Sequence, residues 1–273
     1  MRQTIKTALA VAVVAMSLAG PVAAGPLEDG LAAYNRADYA TALRLWRALA
    51  NKGSSSAQFN LAFMYDTGRG VPQDYAEAAK WYRRAANSGV ATAQFNLGTM
   101  YANGQGVPQD YAEAVKWYRR ASDMGDPDSQ YNLGFLYDNG RGVPQDYAEA
   151  VKWYRRAAAQ GITGAQFGLG LKYANGQGVP QDYAEAVKWY RIVADQGDPD
   201  AQNNLGVMYG IGQGVPQDYV QAHKWYTLAA SQYPASEKES RDGAVKNRDI
   251  IAAKMTPAQL AEAQKLAREW KPK

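Results

Sequence analysis

The chain of 273 residues contains no cysteine and a single histidine, His223. Without thiols there is no disulfide framework, no thiol nucleophile, no thiolate metal site and no cysteine for a lipid anchor. One histidine cannot build a histidine metal cluster, and no obvious Ser-His dyad stands beside it. Ser-x-x-Lys and Lys-Thr-Gly are missing too, so a serine β-lactamase lacks its nucleophile signature. The apolar run Ala8–Leu18 is shorter than the ~20 residues of a membrane span. Arg2 and Lys6 precede it and the small residues Val22-Ala23-Ala24 follow it. Residues 1–24 are therefore expected to be a secretory signal peptide cut after Ala24. No other run is long and apolar enough to span, which predicts a mature chain without a membrane span, periplasmic or secreted. Charge of one sign is scarce as well. The formal +4 loses Arg2 and Lys6 on cleavage, so the concentrated basic face of a nucleic-acid partner is not expected.

What the chain has in excess is repetition. Val107-Pro108-Gln109-Asp110-Tyr111-Ala112-Glu113-Ala114-Val115-Lys116-Trp117-Tyr118 returns with its Val at 71, 143, 179 and 215, each start 36 residues after the last. A fixed period of this size marks stacked repeats rather than one compact core. Asp74-Tyr75-Ala76-Glu77 and its copies form a capping-box pattern that starts a helix, the B helix of each unit. Tyr75, Ala78, Ala79, Tyr82, Ala85 and Ala86 then mark one buried helical face. Gly89, Gly125, Gly161 and Gly197 follow the last turn as C-cap glycines. The other half of each unit, Ala93-Gln94-Phe95-Asn96-Leu97-Gly98-Thr99-Met100-Tyr101 in one copy, predicts an A helix. Gly98, Gly134, Gly170 and Gly206 fall in its middle, at roughly 1 kcal/mol relative to alanine. A cost repeated in four copies implies a gain, and close approach of two helix backbones is the expected one. The Gly/Pro loop between the helices stops the A helix and makes the turn.

The pattern Ala-Gln-x-x-Leu-Gly-x-x-Tyr, Gly-x-Gly-Val-Pro-x-Asp-Tyr, Ala-x-Lys-Trp-Tyr-x-x-Ala resembles the Sel1-like repeat family, relatives of the tetratricopeptide repeat. The likeness runs from about Ala57 to Ala230. It implies an all-α, right-handed α-solenoid used for protein–protein contact, with the A helices lining a concave groove. Some bacterial members resemble periplasmic regulators of signalling receptors. A cysteine-rich branch of the family has been linked to penicillin binding, and the absence of cysteine here separates the chain from it. The expected layout is an N-terminal capping half-repeat over 25–53, five 36-residue repeats over 54–231, and capping helices over 232–273.

No residue set points to catalysis, a cofactor or a metal. The carboxylates recur as helix caps, the loop Gly-x-Gly lacks a preceding strand, and the Trp-Tyr pairs read as packing. The expected function is a non-catalytic, exported adaptor or regulator that holds an envelope or signalling protein in the groove. The alternative is a cell-wall-directed binder or hydrolase, β-lactamase-like or peptidoglycan-associated, and self-association stays open. The candidate partner-binding residues are Asn96, Asn132, Lys172, Asn203 and Asn204. Lys172 and Asn203 are included because the fourth and fifth copies depart there from the others, next to Gly168.

Overall fold

The computed structural model describes residues 25–272, and among them there are helices and no strands. In chain order they are α1 (Pro26–Asn35), α2 (Tyr39–Asn51), α3 (Ser55–Thr67), α4 (Tyr75–Asn87), α5 (Ala91–Asn103), α6 (Tyr111–Asp123) and α7 (Pro127–Asn139). Then come α8 (Tyr147–Ala159), α9 (Thr163–Asn175), α10 (Tyr183–Asp195), α11 (Pro199–Ile211), α12 (Tyr219–Gln232), α13 (Lys238–Ala252) and α14 (Pro257–Glu269). The expected signal peptide lies outside the described residues. Two compact units divide the chain, one up to Gln145 and one from Asp146. In the first, each helix from α1 to α7 packs on the next. In the second, α8 to α12 do the same, and α13 and α14 both pack on α12. The architecture is an α-solenoid of helical repeats.

The B helices start as their sequence predicts, with one difference. Asp74 accepts the Glu77 amide at 2.9 Å, and Asp110, Asp146, Asp182 and Asp218 do likewise. The reciprocal half of the capping box does not form in these copies. Glu77 instead turns to Lys80 and to the Trp81 indole. Among the described residues the full box forms at α14 alone, where Thr256 and Gln259 bond each other's backbone.

The mid-helix glycines of the A helices answer to a side chain, not to a second backbone. A Cβ on Gly98 would lie 2.9 Å from the Tyr118 ring, one on Gly170 2.6 Å from Tyr190, and one on Gly206 2.8 Å from Tyr226. The B-helix tyrosine is a core plug: Tyr82, Tyr118, Tyr154 and Tyr190 are at most 2 % exposed. The ring lies across the A helix where a methyl would stand. In the fourth repeat Gly168 opens the other side for Tyr154.

Polar side chains join neighbouring helices where helix ends leave carbonyls free. Gln58, Gln94, Gln166 and Gln202 each donate to a carbonyl in the last turn of the preceding B helix (Ala50, Ala86, Ala158, Ala194). The loop glutamines Gln73, Gln109, Gln181 and Gln217 donate to the A-helix ends at Asp66, Ala102, Ala174 and Gly210. Thus the Ala-Gln and Pro-Gln-Asp signatures are helix-end chemistry. Where the second repeat meets the third, two of the small core positions carry hydroxyls. Ser122 and Ser129 are 3 % and 0 % exposed, and neither Oγ has a hydrogen-bond partner. Alanine fills the matching slots at Ala86 and Ala158, and at Ala93 and Ala165. An unpaired buried hydroxyl costs about 1–3 kcal/mol. Ser129→Ala is therefore expected to stabilise the chain by about 1 kcal/mol, read as a higher urea midpoint at unchanged slope. A lower midpoint would show that the hydroxyl is satisfied in solution.

Candidate functional site

The B helices α4, α6 and α8 carry the same set of polar residues. In α4, Lys80 reaches Glu77 at 2.9 Å, Trp81 Nε1 donates to Glu77 at 3.0 Å, and the Arg84 guanidinium lies 4.4 Å from the Trp81 ring centre. Arg83 donates to the hydroxyl of Tyr101 on the next A helix. In α6, Lys116 pairs with Glu113, Arg119 with Tyr137, and Arg120 lies 4.7 Å from the Trp117 ring centre. In the second unit α8 repeats the set with Glu149, Lys152, Trp153, Arg155 and Arg156. In α10 Ile192 replaces the stacked arginine and is 42 % exposed. The spacing of Glu, Lys, Trp and Arg at i, i+3, i+4 and i+7 puts all four on one helical stripe.

The A helices carry the predicted site residues. Asn96, Asn132 and Asn204 lie beside the hydroxyls of Tyr82, Tyr118 and Tyr190, each on the B helix of the preceding repeat. Burial pushes all three phenols up, and the asparagine amide opposes it. Asn132 is 2 % exposed, while Asn96 and Asn204 are half-buried. These asparagines thus lie where one repeat meets the next, and Asn132 Nδ2 has no hydrogen-bond partner among the described residues. Lys172 is 6 % exposed, with its ammonium 4.6 Å from the Tyr147 ring centre and 3.1 Å from Gln177 Oε1. It fills the slot of Met64 and Met100 and puts its charge over an aromatic ring. Asn203 is half-buried and accepts from Asn247 of α13 at 3.4 Å. The departures at Gly168, Lys172 and Asn203 are thus taken up by packing, against Tyr154, Tyr147 and α13 respectively. Half-open positions that the sequence reading did not select include Asn60 and Tyr131 in the first unit and Leu171 and Val207 in the second. Their signal was available: each lies on the same A-helix stripe as a selected residue.

His223 sits where other repeats have Val115, Val151 and Val187. It is 4 % exposed, its Nδ1 lies 3.4 Å from Thr227 Oγ1, and α13 brings Arg248 and Asp249 near it. Burial first and the Arg248 charge second hold its pKa below the ordinary 6.5, with Asp249 acting the other way. A depressed histidine supports the fold above its unfolded pKa and loses that support as pH falls through the folded value. His223→Val should therefore leave the melting temperature at pH 7.5 nearly unchanged and remove part of its fall below about pH 6.5. Thermal melts of both proteins across this range decide it, and parallel curves would refute it.

Among the described residues no three His, Cys, Asp or Glu side chains gather as a metal site, and no helix is long and apolar enough to cross a membrane. The repeats match the Sel1 repeat model at residues 55–90, 91–126, 127–162, 163–198 and 199–233. No curated protein matches the chain. Among solved structures, a Sel1 repeat protein from Oxalobacter formigenes is 32 % identical over 90 % of this chain and all of its own, with a TM-score of 0.75. A protective antigen of uropathogenic Escherichia coli strains that displays an SLR fold is 31 % identical, over 90 % of this chain and 60 % of its own, with a TM-score of 0.58. Five matched repeats in register, on an all-helical fold shared with these structures, place the chain in the Sel1 repeat family.

Proposed function

We propose that the chain is an exported, non-catalytic interaction module that holds a segment of an envelope or signalling protein along its A-helix face. Sel1 repeat proteins generally mediate protein–protein contacts. The observation that carries the reading is how the reactive side chains are employed. The Asp residues that open the B helices cap them, the glutamates hold lysines and, in α4 and α8, the indole as well, and the tyrosines bond arginines or fill the core. The A-helix face is left with half-open side chains at matched positions, Asn60 and Asn96, then Tyr131, beside the buried rings of Phe59 and Phe95. Such a stripe suits an extended chain, with the Tyr131 ring giving contact area and the amides fixing register.

The test is in-cell photocrosslinking with a photoreactive residue at Asn60 or Asn203, and at Gln264 on the exposed side of α14 as control. One dominant protein product from the A-helix positions, absent from the control, is the expected result. Glycan products alone, or the same mixture from all three positions, would overturn it. Cell fractionation with N-terminal sequencing checks export, with Gly25 expected as the first residue.

A further inference from the structure

The first unit separates its charges by helix type. The A-type helices α1, α3, α5 and α7 carry five Asp or Glu and no Lys or Arg. The B-type helices α2, α4 and α6 carry eight Lys or Arg against three Asp or Glu. The eight are not equivalent. Lys80 and Lys116 are held by Glu77 and Glu113, and Arg47, Arg83 and Arg119 donate to tyrosine hydroxyls. Arg84 and Arg120 are exposed, lie over Trp81 and Trp117, and have no carboxylate partner among the described residues. Stacking fixes a guanidinium plane without using its N–H donors, so the fork stays available for a carboxylate and its ordering cost is already met.

From this we infer that the B-helix face of the first unit, with Arg84 and Arg120 at its centre, is a second binding surface whose partner is an acidic polypeptide segment. Two stacked forks at equivalent positions of α4 and α6 present the same donor geometry once per repeat, which matches carboxylates spaced along an extended chain. A bilayer surface fits less well. Among the described residues the large exposed apolar side chains are Met124, Ile192, Ile211 and Ile250, of which only Met124, the C-cap of α6, borders this face, too little to insert among acyl chains. The inference does not depend on the A-helix reading, because the two surfaces use different helices.

The experiment is fluorescence anisotropy of a labelled oligo-glutamate peptide with the full mature chain at low ionic strength. Anionic phosphatidylglycerol vesicles and single-stranded DNA serve as competing ligands. Arg84→Gln with Arg120→Gln is expected to weaken peptide binding by about ten-fold or more. Lys80→Gln with Lys116→Gln removes the same number of cations, but ones already paired, and is expected to change binding less than about three-fold. Circular dichroism melts confirm that both double variants keep the fold. Absence of peptide binding, equal losses in the two double variants, or tighter binding to vesicles or DNA would each overturn the proposal.

Discussion

Gly106→Ala is expected to destabilise the chain by roughly 3 kcal/mol or more. The residue has φ +68°, and a Cβ placed there would lie 2.2 Å from the Tyr75 carbonyl carbon and oxygen and 2.5 Å from the Ala76 nitrogen. The obstacle is backbone at the start of a helix, which cannot swing away as a side-chain tip can. The loop of one repeat rests on the first turn of the preceding B helix, and Gly142, Gly178 and Gly214 make the same approach to Tyr111, Tyr147 and Tyr183. Two nearby glycines separate this steric effect from conformational strain. Gly104 has the same φ of +68°, but its nearest neighbour is the Gln109 Cβ at 3.3 Å. Gly89, at φ +85°, has nothing within 4 Å. Alanine at either should cost about 1 kcal/mol, the price of the left-handed backbone alone. For a domain of this size the Gly106 variant should melt lower by roughly 6–12 °C. Equal shifts in the three variants would refute the contact between loop and helix.

Tyr118→Ala is expected to cost about 3–5 kcal/mol. The side chain is 0 % exposed, packs over Gly98, and shares a hydrogen bond of 3.0 Å with Thr99. Removing the ring leaves a cavity that the glycine cannot fill, and strands the Thr99 hydroxyl beside it. Tyr118→Phe keeps the ring and removes only the hydroxyl, so it should cost about 1 kcal/mol. If urea unfolding gives the two substitutions the same cost, the hydroxyl network rather than the ring sets this part of the core. Gly98→Ala is the complementary probe. Ala62 occupies that slot against the Tyr82 plug in the first repeat, so a small ring shift should offset much of the gain in helix propensity.

The B-helix starts, the loop turns and the solenoid class were legible in the chain itself. Each depends on local chemistry repeated in register: Asp at the N-cap, apolar spacing of 3.6, glycine at positive φ, proline after the A helix. Trp81 and Tyr82 were legible as packing because equal residues at equal intervals face equal neighbours. The purpose of the mid-helix glycines was not legible. A glycine admits a backbone or a ring with the same letter, and only the position of Tyr118 distinguishes them. The candidate site divides in the same way. Departure from the repeat correctly marked Lys172 and Asn203 as unusual, but exposure depends on what crosses the helix from elsewhere in the chain. Tyr147 and Gln177 cover one and Asn247 meets the other, and the latter comes from a helix outside the repeat pattern. The segregation of charge onto B helices is written in the sequence. Which arginines keep their N–H donors unused was decided by tertiary structure, because Arg83 finds a tyrosine hydroxyl on the next helix while Arg84, one residue on and about 100° around the helix, lies over the Trp81 ring.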